Sequence, residues 1–338
     1  MKITNLLKKN TRLVILSICV IVAIVLTAYI IHSIFSESPL EFEYKHSSEL
    51  GGVILTKYTG QDLDVILPSE IEQIPVVGIE GKLAQGVVNN QVRTVIIPDS
   101  VVSIGDYAFF DCDSLTSIII PNSVVTIGSN AFCGCRSLTS ITIPENVTSI
   151  GVAAFNSCCS FTSIIIPENV TNIGSGTFGS CSSLSSVSIP ESVISIGNNA
   201  FASCSSLESV IIPNRVTSLG RGAFSDCSSL KSITIPNSVT SIDNYAFYYC
   251  ISLESIIIPN GITYIGHETF GHCSSLTSVT IPDGVKSIAV FAFIDCRSLA
   301  SITIPGSVTS IGNGAFLRCP LLPDQVKQRI LQINPEGL

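Results

Sequence analysis

Residues 265–273 read IGHETFGHC, placing two histidines, a glutamate and a cysteine in one short stretch, the residue types that hold zinc and polarise water. A helical zinc hydrolase site needs H-E-x-x-H, which sets its histidines about 40° apart around the axis. Here the second histidine comes one residue later, roughly 140° away, so the spacing does not suit that chemistry. His32 and His46 lie far along the chain, and the Cys133 and Cys135 pair has no second ligand pair. No nucleophile elbow, phosphate loop or recurring carboxylate pair is present. The serines at 117, 140, 163, 209, 232, 255, 278 and 301 recur without a base beside them and form a hydroxyl ladder. No catalytic residue, metal site or cofactor is expected.

What positions these residues is a repeat. Pro98, Pro121, Pro144, Pro167, Pro190, Pro213, Pro236, Pro259, Pro282 and Pro305 follow one another at 23-residue steps. A cysteine lies 14 residues after each, from Cys112 to Cys319, and a phenylalanine three residues before each cysteine. In the unit PNSVTSIDNYAFYYCISLESIII, starting at Pro236, Ser255–Ile258 is a β-branched strand ended by a proline that cannot donate to a ladder. Alternation sends Ile256 and Ile258 to one face, Ser255 and Ile257 to the other. Val239–Ile242 is a second extended stretch. NYAFYYC is expected to close one helical turn that aims Ala246, Phe247 and Cys250 inward. In this frame His267, Glu268, Gly271 and His272 occupy variable positions, so the opening cluster decorates one repeat.

A single unit buries too little apolar surface to offset the ordering of its backbone, so the copies must stack. Strands about 4.8 Å apart then predict a continuous parallel β-sheet along one face. Equivalent cysteines fall within disulfide reach. Their neighbours show no alternation from repeat to repeat, and the column is expected to be buried free thiols. Cys133 and Cys159 lie outside it and are expected to be more exposed or reactive. The units, LTSIIIPNSVVTIGSNAFCGCRS among them, resemble the Treponema or BspA-like leucine-rich repeats of bacterial and some protist surface proteins, over Val95–Cys319. That resemblance implies a repeat solenoid, a leucine-rich-repeat horseshoe or arc, and a role as an adhesin or surface binding module. Host matrix proteins and neighbouring cells are the partner classes it implies.

Composition agrees with a folded β-rich body: 46% apolar, 12% charged and no Trp in 338 residues. Lys2, Lys8, Lys9 and Arg12 are four of 17 basic residues, and all 25 acidic ones follow Ser36, so the body is acidic and ill suited to nucleic acid. Residues 1–12 form a basic segment and 13–35 an apolar one, long enough for an uncleaved transmembrane signal anchor. The basic segment then stays cytoplasmic and the repeats lie outside the cell membrane. The alternative is a cleaved signal peptide and a secreted chain. A linker at 36–41 and an N-terminal cap with a degenerate repeat at 42–94 lead into ten repeats at 95–319. A C-terminal helical cap at 320–338 is expected to start with Asp324 as its cap and to bury Val326, Ile330 and Leu331.

Two surfaces are candidates for a partner. The outward strand column carries Ile119, Ile165, Ile211 and Ile257 between small hydroxyl residues, with Glu145, Glu168 and Glu191 after the prolines. The variable turn positions gather Tyr245, Tyr248, Tyr249, Tyr264, His267 and His272 in two adjacent repeats. Asn146 and Asn169 begin N-V-T sequons. The expected function is non-catalytic recognition of an extracellular protein or glycan. A structural spacer of the cell envelope is the alternative, and an enzyme the weakest of the three readings.

Overall fold

The computed structural model describes residues 41–81, 83 and 91–338. The basic segment 1–12, the expected membrane segment 13–35 and the linker up to residue 40 lie outside the described residues. Among those described, no helix is long and apolar enough to cross a membrane.

Residues Phe42–Leu338 form one unit. It opens with β1 (Phe42–Ser47) antiparallel to β2 (Gly52–Tyr58). Next comes β3 (Asp64–Ile66), the first strand of the ladder that continues through Thr94–Ile96 and Ser117–Ile119. β4 (Glu70–Ile71) and β5 (Ile74–Ile79) make a tight hairpin, and Glu72 and Gln73 take the positive φ angles that a two-residue turn demands. β5 then runs parallel to β2 on one side and to Ser103–Ile104 on the other.

From there every coil contributes a two-residue strand after its proline and, the Pro144 coil excepted, a strand before it, all pairing in parallel at the 23-residue register. The continuous sheet expected on one face is instead a row of short ladders. The Ser163–Ile165 strand pairs with Ser186–Ser188, Ser209–Ile211 with Ser232–Thr234, and Ser255–Ile257 with Ser278–Thr280 and Ser301–Ile302. Strands of two or three residues, each ended by a proline lacking an N–H, cannot sustain an unbroken ladder.

The expected helical turns are absent from the described repeats, and the reason lies in their hydrogen bonds. Each repeat carries two residues of positive φ, in the columns of Tyr245 and Tyr249. Alternate N–H groups leave the coil: Phe132 donates to the Ala154 carbonyl at 2.7 Å and Phe155 to Thr177 at 2.9 Å. Intervening ones close four-residue β-turns, as Cys135 does on Phe132 at 3.2 Å. Left-handed residues are unfavourable one by one. Here they aim half of the amides at the next coil, which an α-helix would have kept for itself.

Inside, Phe109 to Phe316 form a stack of rings 5.1–5.8 Å apart and within 14° of parallel. The column thiols are free and buried, and from Cys135 to Cys319 each donates to the carbonyl of the phenylalanine 26 residues earlier, as Cys204 does to Phe178 at 3.2 Å. Burial pushes the thiols of Cys158, Cys181, Cys204, Cys227, Cys250, Cys273 and Cys296 up, Cys227 and Cys273 to about 12.

The chain closes with α1 (Asp324–Ile333). Pro323, not Asp324, is the N-cap, and Asp324 sits in the first turn, where its charge suits the helix dipole. Val326 and Ile330 are buried, whereas Leu331 is 44% exposed, one helical step off the inward face. Gly314 and Phe316 donate to the carbonyls of Glu336 and Gly337, so the tail completes the last coil's turn column.

Candidate binding surfaces

Alternation in a three-residue strand turns the middle side chain inward and its neighbours out. In Ser163–Ile165, Ile164 is buried and Ile165 is 70% exposed. The register repeats that outward position along the solenoid, pairing Ile165 with Ser188, Ile211 with Thr234 and Ile257 with Thr280. Ile211 and Ile257 are 76% and 70% exposed, whereas Ile119, paired with Ile96, is half-buried. Three of the four isoleucines thus stand clear of the surface, two coils apart, or roughly 10 Å at the spacing of paired strands. Glu145, Glu168 and Glu191 are exposed at the C-terminal ends of this column. Glu191 also accepts the Asn214 N–H at 3.1 Å. Asn146 and Asn169 donate at 2.7 Å to the carbonyls of Asn122 and Glu145, so both sequon amides help close inter-coil turns.

The turn edge carries the second set. Tyr245 meets Tyr248 at 5.6 Å and His267 at 5.2 Å, both edge-on, with the Arg221 guanidinium 4.8 Å above its ring. Tyr248 meets Tyr249 and His272 edge-on at 4.8 and 5.4 Å, and Tyr249 stacks on His272 at 4.5 Å. Gly271 permits this arrangement, because a Cβ there would stand 3.2 Å from Tyr248 Cδ2. The contacts of Tyr245 with His267 and of Tyr248 and Tyr249 with His272 join neighbouring coils, each pair contributing about 0.5–1.5 kcal/mol beyond area burial. Tyr264 is not among them: it is 48% exposed on the strand Tyr264–Ile265, paired with Ser287.

The two histidines of the opening cluster do not converge. His267 Nδ1 lies 2.8 Å from the Val290 carbonyl oxygen, and its Nε2 is 3.0 Å from a Glu268 carboxylate oxygen. His272 turns instead to Tyr249 and to Asp295, whose Oδ2 is 3.6 Å from its Nδ1. Among the described residues no group of three or more His, Cys, Asp or Glu is arranged to hold a metal ion. A cleft of about 350 Å³ between α1 and the last strands, lined by Thr280, Ser301, Thr303 and Gln325, has no titratable side chain in its wall.

Cys133 and Cys159 are half-buried rather than exposed. Burial first, then the Asp111 charge, pushes the Cys133 thiol up against a smaller opposing pull from Arg136. It is therefore less nucleophilic than a free surface cysteine. Asp295, by contrast, gave no signal along the chain. Its side chain is only 3% exposed, accepting from Arg297 Nε and Nη2 on one oxygen at 3.0 and 2.9 Å and from Arg318 Nη1 on the other at 3.1 Å. Burial alone would push this carboxyl up, but the hydrogen bonds and charges of Arg297 and Arg318 hold it below its usual value.

Parallel coils at a fixed 23-residue step around a Phe and Cys interior are the geometry of a repeat family, and the match is specific. Residues 88–208 and 194–322 match the BspA type leucine rich repeat region, in six copies. The chain belongs to the BspA-type leucine-rich repeat family. This BspA-type protein is similar to a leucine-rich repeat protein from Bacteroides ovatus, with 27% identity over 90% of this chain and 99% of that one and a TM-score of 0.56. It is also similar to a leucine rich cell surface protein from Faecalibacterium prausnitzii, with 30% identity over 86% and 93% of the two chains and a TM-score of 0.55. Curated proteins offer no match to it.

Proposed function

We propose that this BspA-type protein is a non-catalytic binding module displayed at the cell surface, and that its strand column docks a protein partner. The supporting observation is the row formed by Ile165, Ile211 and Ile257, at 70%, 76% and 70% exposure on a regular two-coil spacing. Leaving three large aliphatic groups in water on a rigid ladder has no value for the fold, because the same register accepts Ser188 and Thr234. Glu145, Glu168 and Glu191 border the row with negative charge, which suits a partner with basic groups around an apolar contact. Surface display is supported by the apolar segment at 13–35 and by the cell-surface description of the Faecalibacterium relative.

The test compares the full chain with a triple variant, Ile165→Ser, Ile211→Ser and Ile257→Ser, in saturation binding to extracellular proteins. A saturable partner whose affinity falls at least tenfold in the triple variant, with no change in melting temperature, is the expected result. Undiminished binding moves the site elsewhere on the molecule, and no saturable partner at all favours the envelope spacer. Display is checked by labelling intact cells with an impermeant amine reagent; unlabelled protein rejects the surface assignment.

A further inference from the structure

The isoleucine row has a period, and the period selects the conformation of what it docks. Ile165, Ile211 and Ile257 stand on every second coil, so they recur at about 9.4–9.8 Å and span about 19 Å in all, at the spacing of paired strands. Ser188, Thr234 and Thr280 hold the same outward position on the alternate coils and are exposed. Their hydroxyls bond to no other group among the described residues. Elsewhere on the surface such hydroxyls are used up within the fold: Thr217 and Thr277 donate to the Ile194 and Glu254 carbonyls at 3.3 and 2.9 Å. The column is therefore a row of apolar bumps with a free hydroxyl donor between each pair.

We propose, resting on the reading that this column docks a protein, that its occupant is a basic polyproline II segment laid across the strands, with every third residue against the isoleucine row. A polyproline II helix returns to the same face after three residues, about 9.3 Å, and six of its residues cover about 18.6 Å. An α-helix returns after seven, about 10.5 Å, and overshoots the third isoleucine by about 2 Å. A β-strand alternates, so a residue set against Ile165 has its third neighbour turned away from Ile211. The hydroxyls make the same choice. Polyproline II carbonyls have no internal partners, so Ser188 and Thr234 can each donate to one between the bumps, whereas an α-helix keeps all but its last carbonyls for itself. Its preset backbone also lowers the ordering cost of binding. Glu145, Glu168 and Glu191, exposed beside the row on a chain of formal net charge -8, select Lys or Arg at the positions turned toward them.

Titration calorimetry on the purified full chain tests it, with a Pro-Pro-Lys repeat peptide as the probe. A flexible Gly-Ser-Lys repeat and an amphipathic helix with leucine at every seventh position, both of equal charge, are the comparisons. Saturable binding of the proline peptide alone is expected, weaker by roughly tenfold or more in the triple isoleucine variant. The exchange Ile211→Thr/Thr234→Ile keeps the composition but moves the middle bump one coil out of step, and a several-fold loss is expected with an unchanged melting temperature. Indifference to that exchange overturns the inference, because the period then plays no part. Equal binding of the flexible peptide, or of the proline peptide to the triple variant, overturns it in favour of charge attraction alone. Tighter binding of the helical peptide overturns it in favour of a helical partner. No binding of the proline peptide overturns it too, and the docking face survives that result if an extracellular protein still requires the three isoleucines.

Discussion

Phe247 and Tyr248 are consecutive residues of one turn, and Cys250 follows Tyr249 just as closely, yet their fates are opposite. Phe247 and Cys250 are fully buried in columns that repeat from coil to coil, while Tyr248 and Tyr249 lie in columns that hold a different residue in most repeats. The inner column solves one packing problem ten times. Each ring stacks on its neighbours, and most of the thiols satisfy the carbonyl of a phenylalanine one coil back. Nothing in that solution depends on the outer residue, so the outer columns are free to carry recognition. Individuality in a repeat protein therefore lies on the turns and outward strand positions, one residue away from its most uniform part.

The largest way to separate the two regions is pH. Burial penalises the thiolate and lifts Cys227 and Cys273 to about 12 in the folded chain, against an ordinary value of 9.0. A raised folded pKa gives stability that is fully present below the unfolded pKa and lost as pH climbs toward the folded one. Each of these two thiols should then forfeit up to about 4 kcal/mol between pH 9 and pH 12, at 1.36 kcal/mol per unit. Denaturant midpoints followed from pH 8 to pH 11 should fall steeply. They should fall less in a Cys227→Val/Cys273→Val variant, since valine has no proton to lose. Parallel pH dependence in the two proteins would show that the inner thiols do not carry the effect.

Next in size is the ring stack. Phe201 lies between Phe178 at 5.5 Å and Phe224 at 5.4 Å, so Phe201→Ala opens a cavity that the neighbouring coils cannot fill. A loss of about 3–5 kcal/mol is expected. Tyr248→Ala, which removes three edge-on contacts at a half-buried position and opens no enclosed cavity, should cost less, within about 3 kcal/mol. Urea unfolding of the two variants settles the difference, and similar losses would mean that the outer ring network is as structural as the inner one.

Much of this contrast is legible in the sequence. The 23-residue step places Phe, Cys and the strand isoleucines in columns, and alternation assigns Ile256 inward and Ile257 outward. What the chain hides is anything decided between coils. NYAFYYC aims the same side chains inward whether it forms a helical turn or a run of β-turns. Only the bonds to the next coil, such as Tyr245 N–H to the His267 carbonyl, select the second. Asp295 and Arg318 look unrelated along the chain, though they are one repeat apart, as are Glu208 and Lys231. Charges read down the columns would have paired both. Leu331 is as apolar as its neighbours yet turns outward, because Val326 and Ile330, four residues apart, define a different inward face.

The smallest effect asks why the inner column is cysteine at all. Cys204 is fully buried, and its thiol donates to the Phe178 carbonyl at 3.2 Å. That carbonyl lies one coil back and sits in the interior, so it loses its thiol donor if the side chain cannot supply one. Valine keeps apolar bulk and removes the donor, while serine keeps a donor and sheds apolar bulk. If the hydrogen bond matters more, Cys204→Val should lose about 0.5–1.5 kcal/mol, the net worth of one hydrogen bond, because the Phe178 carbonyl still accepts from the Cys181 N–H at 3.4 Å, and Cys204→Ser should lose less. If the column is only a filler of space, the order reverses. Serine at the half-buried Cys159 should change stability by less than about 0.5 kcal/mol, as for substitutions away from the core. A serine variant at Cys204 more stable than the valine one would identify the thiol ladder as a second, inter-coil hydrogen-bond system running beside the phenylalanine stack.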